Sequence, residues 1–333
     1  MLRATLGRSG IECSAVGLGT WPMGGWMWGG TDETSSIKAI HAAIDAGVDL
    51  IDTAPIYGFG LSETTVGKAI RDRRDKVVLA TKCGMVCNTT RGEMKFRSNA
   101  LGPDPLGQLS VQVYLGADSI RQEVEASLER LQTDTIDLLQ PHWQDPTTPV
   151  EETMAALTKL KQEGKIRAIG VCNAPTNYLR QYDAAGQLDT DQECFSMLDR
   201  EIEENQLPFC RERGIAVLAY SPLGRGLLTG TMGPDREFAE GDARRDSARY
   251  SVENRKRVAK MLDQFRPIAE AHEATIAQIV IAWTIHFPGV THALVGARDP
   301  RQATENSAAG SIELSNDELT QINQAVDQYR NES

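Results

Sequence analysis

Ile136-Asp137-Leu138-Leu139, then Val150 to Glu163, then Gly164, then Arg167-Ala168-Ile169-Gly170-Val171, is the stretch that decides how the chain reads. It is a short β-rich run, a helical run, a glycine suited to end a helix, and a second β-rich run. Two strands joined through a helix lie parallel in one sheet.

The same unit recurs on both sides. Toward the N-terminus lie strand candidates Val16–Gly19, Val48–Asp52 and Lys76–Thr81, with helical stretches at Ser36–Ala46 and Glu63–Ile70. Ile37, Ile40, Ala43 and Ile44 line one face of the first of these helices. A helix over Asp118–Leu131 aligns Ile120, Val124, Leu128 and Leu131. Toward the C-terminus come helix Tyr178–Ala185, a weak strand Asp191–Phe195, helix Ile202–Arg213 and strand Ile215–Tyr220. Helices Arg255–His272 and Thr275–His286 precede an eighth strand, Ala293–Gly296. Helices Pro300–Ala308 and Asp317–Arg330 follow.

Eight βα units without a linker predict an α/β fold, a (β/α)8 TIM barrel, over residues 1–333 as one domain. An N-terminal β-hairpin from Arg3 to Ala15 is expected across its bottom, with the extra C-terminal helices outside. Two stretches break the rhythm. Gly84–Gly116, which contains Gly102-Pro103-Asp104-Pro105, reads as a long polar loop, and Gly224–Tyr250 as a second.

The 333 residues carry a net charge of −11, which argues against a general nucleic-acid partner. No run is long and apolar enough for a membrane span, and Met1 to Arg8 lacks the apolar stretch of a secretory signal. The expected location is cytoplasmic. Cys13, Cys83, Cys87, Cys172, Cys194 and Cys210 are dispersed without a C-x-x-C pair, so reduced thiols and no metal site are expected. Gly17-Leu18-Gly19 begins like a dinucleotide fingerprint but has Pro22 at the third glycine position. Gly102 and Gly107 have phosphate-loop spacing, but Gln108 stands where that loop needs lysine.

Barrel chemistry sits where strands end. Asp52 and Tyr57 follow the second strand, Lys82 the third, His142 the fourth. Singly, each has an ordinary structural explanation; together they deliver an acid, a phenol, a cation and an imidazole to one rim.

Asp49-Leu50-Ile51-Asp52-Thr53-Ala54-Pro55-Ile56-Tyr57-Gly58, with Ser62-Glu63, resembles the signature of the aldo-keto reductases. Further matches are Ala80-Thr81-Lys82, Asp134 to Trp143, Gly164 to Val171, Tyr220-Ser221-Pro222-Leu223-Gly224 and Gly296-Ala297-Arg298. The resemblance runs from about Leu6 to Leu319 and is nearest the bacterial group similar to potassium-channel β subunits. It implies reversible hydride transfer between a nicotinamide cofactor and an aldehyde, ketone or sugar-like carbonyl. Asp52, Tyr57, Lys82 and His142 are then the catalytic set. Tyr57 is the proton donor, Lys82 lowers its pKa, Asp52 holds Lys82, and neutral His142 orients the carbonyl.

The resemblance also implies a cofactor set. Gly19, Thr20, Trp21 and Asp52 line it on one side. Tyr220 stacks on the nicotinamide, and Asn173 and Gln192 bind its carboxamide. Ser221, Pro222, Leu223, Gly224 and Gly226 hold the pyrophosphate. Gly296, Arg298, Gln302, Glu305 and Asn306 hold the adenosine end. Arg298 at a 2′-phosphate favours NADP(H). Asp299 beside it leaves NAD(H) open, and Cys172 stands where the family commonly has serine. The expected partner is a small carbonyl or alcohol against Trp21, Trp26, Met27, Trp28, Tyr57, His142 and Trp143. Packing of the tryptophan loop onto Gly84–Gly116 is the equal alternative. An NAD-dependent sugar or alcohol dehydrogenase and a cofactor-sensing regulatory subunit are the alternative functions. The substrate and the oligomeric state are not legible.

Overall fold

The computed structural model describes residues 1–98 and 109–331. Gly102-Pro103-Asp104-Pro105 and the Gly107-Gln108 spacing lie outside the described residues. In chain order the strands are β1 (Arg3–Thr5), β2 (Glu12–Ser14), β3 (Val16–Gly19), β4 (Leu50–Asp52), β5 (Val78–Cys83), β6 (Met85–Cys87), β7 (Glu93–Arg97), β8 (Ser110–Val113), β9 (Ile136–Pro141), β10 (Ile166–Cys172), β11 (Thr190–Cys194), β12 (Ala216–Tyr220) and β13 (His292–Gly296). The helices are α1 (Glu33–Asp45), α2 (Leu61–Ile70), α3 (Ala117–Leu131), α4 (Val150–Gln162), α5 (Thr176–Ala185), α6 (Gln206–Arg213), α7 (Val252–Asp263), α8 (Arg266–Ala271), α9 (Ile276–His286), α10 (Pro300–Ala308) and α11 (Asn316–Asn331).

Eight parallel strands close into a barrel in the order β3, β4, β5, β9, β10, β11, β12, β13. The seam joins β13 to β3, with Ala293 opposite Val16 and Gly296 opposite Gly19. This is the (β/α)8 barrel expected from the repeated units.

Alternation along each strand builds two layers. Leu50, Ala80, Leu138, Ala168, Leu218 and Leu294 point inward and pack with Leu6, Ile11 and Cys13 of the β1–β2 hairpin. The hairpin therefore plugs one end of the barrel. One step further along the strands, the inward positions turn polar: Asp52, Lys82, Gln140 and Tyr220. Residues between them, such as Ile51, Leu79, Leu139 and Val217, join the larger core under the helices. Helix α9 is apolar on nearly every side and almost wholly buried, and a capping box between Thr275 and Gln278 starts it.

The structure departs from the sequence reading in three places. The Gly84–Gly116 stretch is not simply a loop. Its described part forms a three-stranded antiparallel sheet, β6-β8-β7. The helix expected over Arg255–His272 is two helices, with Pro267 in the first turn of the second. Proline there needs no N–H partner, but it cannot sit inside a longer helix. The helix expected from Ile202 begins at Gln206.

Candidate active site

Asp52 ends β4, and Lys82 is the next-to-last residue of β5. Lys82 Nζ donates to Asp52 Oδ1 at 2.9 Å, to Asp52 Oδ2 at 2.7 Å and to the Thr53 carbonyl at 2.9 Å. An ammonium has three donors, and these acceptors match them. Gln192 Nε2 adds a bond to Asp52 Oδ1 at 2.8 Å. Burial is the largest single influence and would lower the lysine pKa, but the field and hydrogen bonds of Asp52, with smaller contributions from Tyr57 and Cys172, together raise it above the ordinary value.

The Asp52 to Tyr57 turn is fixed from below. Ser62 Oγ lies 2.7 Å from Thr20 Oγ1 and 2.9 Å from Thr53 Oγ1. Thr20 Oγ1 also donates to the Asp52 carbonyl at 2.9 Å. Glu63, fully buried, accepts from Thr81 and Arg130. These bonds account for Ser62-Glu63 behind the tyrosine.

The Tyr57 ring centroid lies 4.9 Å from Lys82 Nζ. It lies 5.8 Å from the His142 ring, edge to face, and 6.2 Å from Trp21. The four catalytic candidates therefore converge. One electrostatic expectation changes: burial pushes the phenol up to about 12, although Lys82 pulls it down. Desolvation of the phenolate exceeds the pull of a cation already shared with Asp52. His142 is held well below its ordinary value, first by burial and then by the charges of Lys82 and Lys95. Its ring is neutral at physiological pH.

The expected cofactor residues line the adjoining arc. Asn173 follows β10, donates to the His142 carbonyl at 3.0 Å and accepts from Tyr220 Oη at 2.8 Å. Cys172 is buried, and its carbonyl accepts from Gln144 Nε2. Gln144 Oε1 is buried without a hydrogen-bond partner among the described residues. Asn173, Ser221 and Arg225 adopt left-handed backbone with φ of 54°, 58° and 54°. Such conformations are uncommon outside glycine and concentrate at functional sites. Pro222, Leu223 and Gly224 form the turn between them, closed by Gly224 N–H to the Ser221 carbonyl and Gly226 N–H to the Leu223 carbonyl.

At the far end, the Arg298 guanidinium donates to the Gly30 carbonyl at 3.0 Å, and its own N–H donates to Gln302 Oε1. Asp299 caps α10 by accepting from the Gln302 N–H at 2.8 Å. Its carboxylate is committed to the helix end. Asn306 donates to the Gly296 carbonyl, and Glu305 pairs with Arg301. An arginine, a left-handed turn and a glycine-lined strand seam fit an extended dinucleotide that carries phosphates.

The tryptophans separate. Trp26 is 8% exposed and packs on Phe59 and on Phe96 of the inserted sheet, with centroids 5.0 and 5.7 Å away. For Trp26 the structure thus has the packing arrangement. Trp21 and Trp28 meet edge to face at 5.3 Å and stay half-buried, as do Met27 and Trp143. Two cations at this rim escaped the sequence reading. Arg225 lies 4.8 Å over Trp21, and Lys95 lies 3.3 Å over Trp143. Arg225 sits between two glycines after a strand, a usable signal. Lys95 lies inside the insertion, where periodicity gives none.

Comparison with known proteins agrees with this architecture. A sequence model of the Aldo/keto reductase family matches residues 15–327. Over 326 residues the chain is 41% identical to an Escherichia coli (strain K12) protein named NADH-specific methylglyoxal reductase, covering 96% of this chain and 97% of that one. The structure of a glycerol dehydrogenase from Gluconobacter oxydans superposes with a TM-score of 0.85 at 36% identity, covering 96% of this chain and 93% of that one. An aldo-keto reductase from Klebsiella pneumoniae in complex with NADPH has a TM-score of 0.72 at 29% identity, covering 97% and 95%. With the match spanning nearly all of the barrel and its rim, this chain belongs to the aldo/keto reductase family of oxidoreductases.

Proposed function

We propose that this protein reduces aldehydes or ketones, and oxidises the matching alcohols, with Tyr57 as general acid and base. The observation that carries the reading is the convergence of Tyr57, His142 and the buried Asp52–Lys82 pair on one rim. A nicotinamide dinucleotide, when bound, supplies or takes up the hydride. The chain's own residues manage the oxygen. Negative charge grows there during reduction and needs a proton and a donor. Neutral His142 orients the oxygen through an N–H, and the Tyr57 hydroxyl delivers the proton. Lys82 stabilises the phenolate left behind, and Asp52 keeps Lys82 from swinging away. In oxidation the phenolate takes the alcohol proton.

Asn173, Gln192 and Tyr220 would hold the nicotinamide end, and the Ser221–Gly226 turn the pyrophosphate. Gly296, Arg298, Gln302, Glu305 and Asn306 would hold the adenosine. We place NADP(H) first, because Arg298 offers at that end a guanidinium bound to the Gly30 carbonyl but with no carboxylate partner among the described residues, while Asp299 is spent on α10. NAD(H) is the second reading, favoured by the relative named NADH-specific. Initial rates with NADPH and NADH against a panel of aldehydes, ketones and sugars test both. Turnover with neither cofactor on any carbonyl would remove the enzymatic reading and leave a cofactor-sensing role.

A further inference from the structure

Lys95 is the cation that the mechanism leaves unused. It belongs to β7 of the inserted sheet, outside the barrel. The sheet is pinned beside the rim, because Phe96 stacks on Trp26 with centroids 5.7 Å apart. Lys95, the preceding residue, points to the other side and sets its ammonium 3.3 Å from the Trp143 centroid. Trp143 directly follows His142, and the Lys95 charge is felt at the His142 ring.

Other cations near the rim are committed elsewhere: Lys82 is paired with Asp52, and Arg225 belongs to the turn assigned to the pyrophosphate. Arg244 lies 5.1 Å over Trp28 and is paired with Asp242 at 2.6 Å. Among the described residues Lys95 has no ion pair. Glu93, two positions along β7, reaches it only through its field, and partial burial lowers the lysine pKa more than Glu93 raises it. An exposed cation that an indole holds beside the rim, with no counter-ion among the described residues, gains from an anion brought by a ligand. The chain as a whole carries −11, so an anionic substrate needs such a local anchor.

We infer that Lys95 sets substrate charge preference: it recognises a carboxylate or phosphate on the carbonyl compound being reduced, with Trp143 as the platform that holds the ammonium in place. This rests on the carbonyl reduction proposed above. It makes the insertion a specificity element and leaves the catalytic set unchanged.

The test pairs 4-oxobutanoate with butanal, and glyceraldehyde 3-phosphate with glyceraldehyde, on wild type, Lys95→Met and Lys95→Arg. Lys95→Met should lower kcat/KM about tenfold for an anionic aldehyde, mainly through KM, and leave its neutral partner within about twofold. Lys95→Arg should restore most of the loss, and added salt should erode the wild-type preference. A loss confined to one pair identifies carboxylate or phosphate as the group recognised. Parallel losses on charged and neutral aldehydes, or no loss on either, would overturn the inference. A binding arm needs no turnover: quenching of tryptophan fluorescence by 4-hydroxybutanoate and by glycerol 3-phosphate. Anion binding weakened about tenfold by Lys95→Met supports the anchor even if no aldehyde is reduced, in which case the catalytic reading alone fails. Wild type that binds neither anion and shows no kinetic preference sinks the anchor.

Discussion

Asp52 and Lys82 meet through both carboxylate oxygens, at 2.9 and 2.7 Å, with each side chain almost wholly withdrawn from water. Removing either partner leaves the other charge buried alone, which costs about 3–5 kcal/mol. Asp52→Ala and Lys82→Met should each lower unfolding free energy by that order in denaturant titrations. The double variant should lose less than the two singles together, because no orphan charge remains. Additive losses would mean that the pair is not coupled.

Tyr57→Phe keeps the ring against Trp21 and His142 and deletes only the hydroxyl. Turnover of a good aldehyde should fall by about 10²-fold or more, with cofactor affinity unchanged. Steady-state rates beside a cofactor titration separate the two quantities. Near-wild-type turnover would exclude Tyr57 as the acid.

The pH profile follows from burial. With the phenol pushed up to about 12, Tyr57 stays protonated across neutral and alkaline pH. Reduction should therefore be flat to about pH 10, while oxidation, which needs the phenolate, climbs steadily over the same range. His142, already neutral, should add no acid limb near pH 6.5, its ordinary value. Initial rates in both directions check this, and a reductive rate that collapses by about pH 8 would contradict it.

Arg298→Ala should weaken NADPH by roughly ten- to hundredfold in Kd and NADH far less, since only the former carries the 2′-phosphate. Asp299→Asn keeps a capping side chain on α10 and should leave the ratio nearly unchanged. Titration of both cofactors against intrinsic fluorescence reads the outcome. Equal losses for the two would mean that Arg298 does not sense the phosphate.

His292, fully buried between Cys13 and Thr291, is held at about 4, below its ordinary 6.5, by burial. The unfolded chain takes a proton that the folded chain refuses. Stability from this residue is thus whole above about pH 6.5 and is lost as pH falls toward 4, by about 3 kcal/mol in total. His292→Gln should flatten that part of the profile. Denaturation midpoints at neutral and mildly acid pH measure it.

Much of the barrel was legible because buried parallel strands leave apolar runs, such as Ile215–Tyr220, beside helices with clear stops. β11 read weakly for a physical reason. Asp191 and Glu193 flank Gln192 and are buried carboxyls, Asp191 raised well above its ordinary value and Glu193 to about 7, both by burial. Glu193 accepts from the Ala174 N–H, which lets a carboxyl occupy an apolar layer. Hydropathy cannot see that. The inserted sheet escaped because Glu93–Arg97 puts only Phe96 even half out of water. The catalytic candidates were legible as residue types at strand ends. The net direction of the Tyr57 shift was not, since it depends on how much water the folded rim excludes.

The seam between β3 and β13 joins residues from opposite ends of the described chain. Until His292–Gly296 has been synthesised, β12 and β3 each present a bare edge, open to pairing with other chains. Barrel closure is then a long-range event that comes late and slowly during assembly, and the window before it is where aggregation competes. Gly296 and Arg298 arrive with that final strand, so one end of the nucleotide cleft exists only in a molecule that has already escaped this hazard.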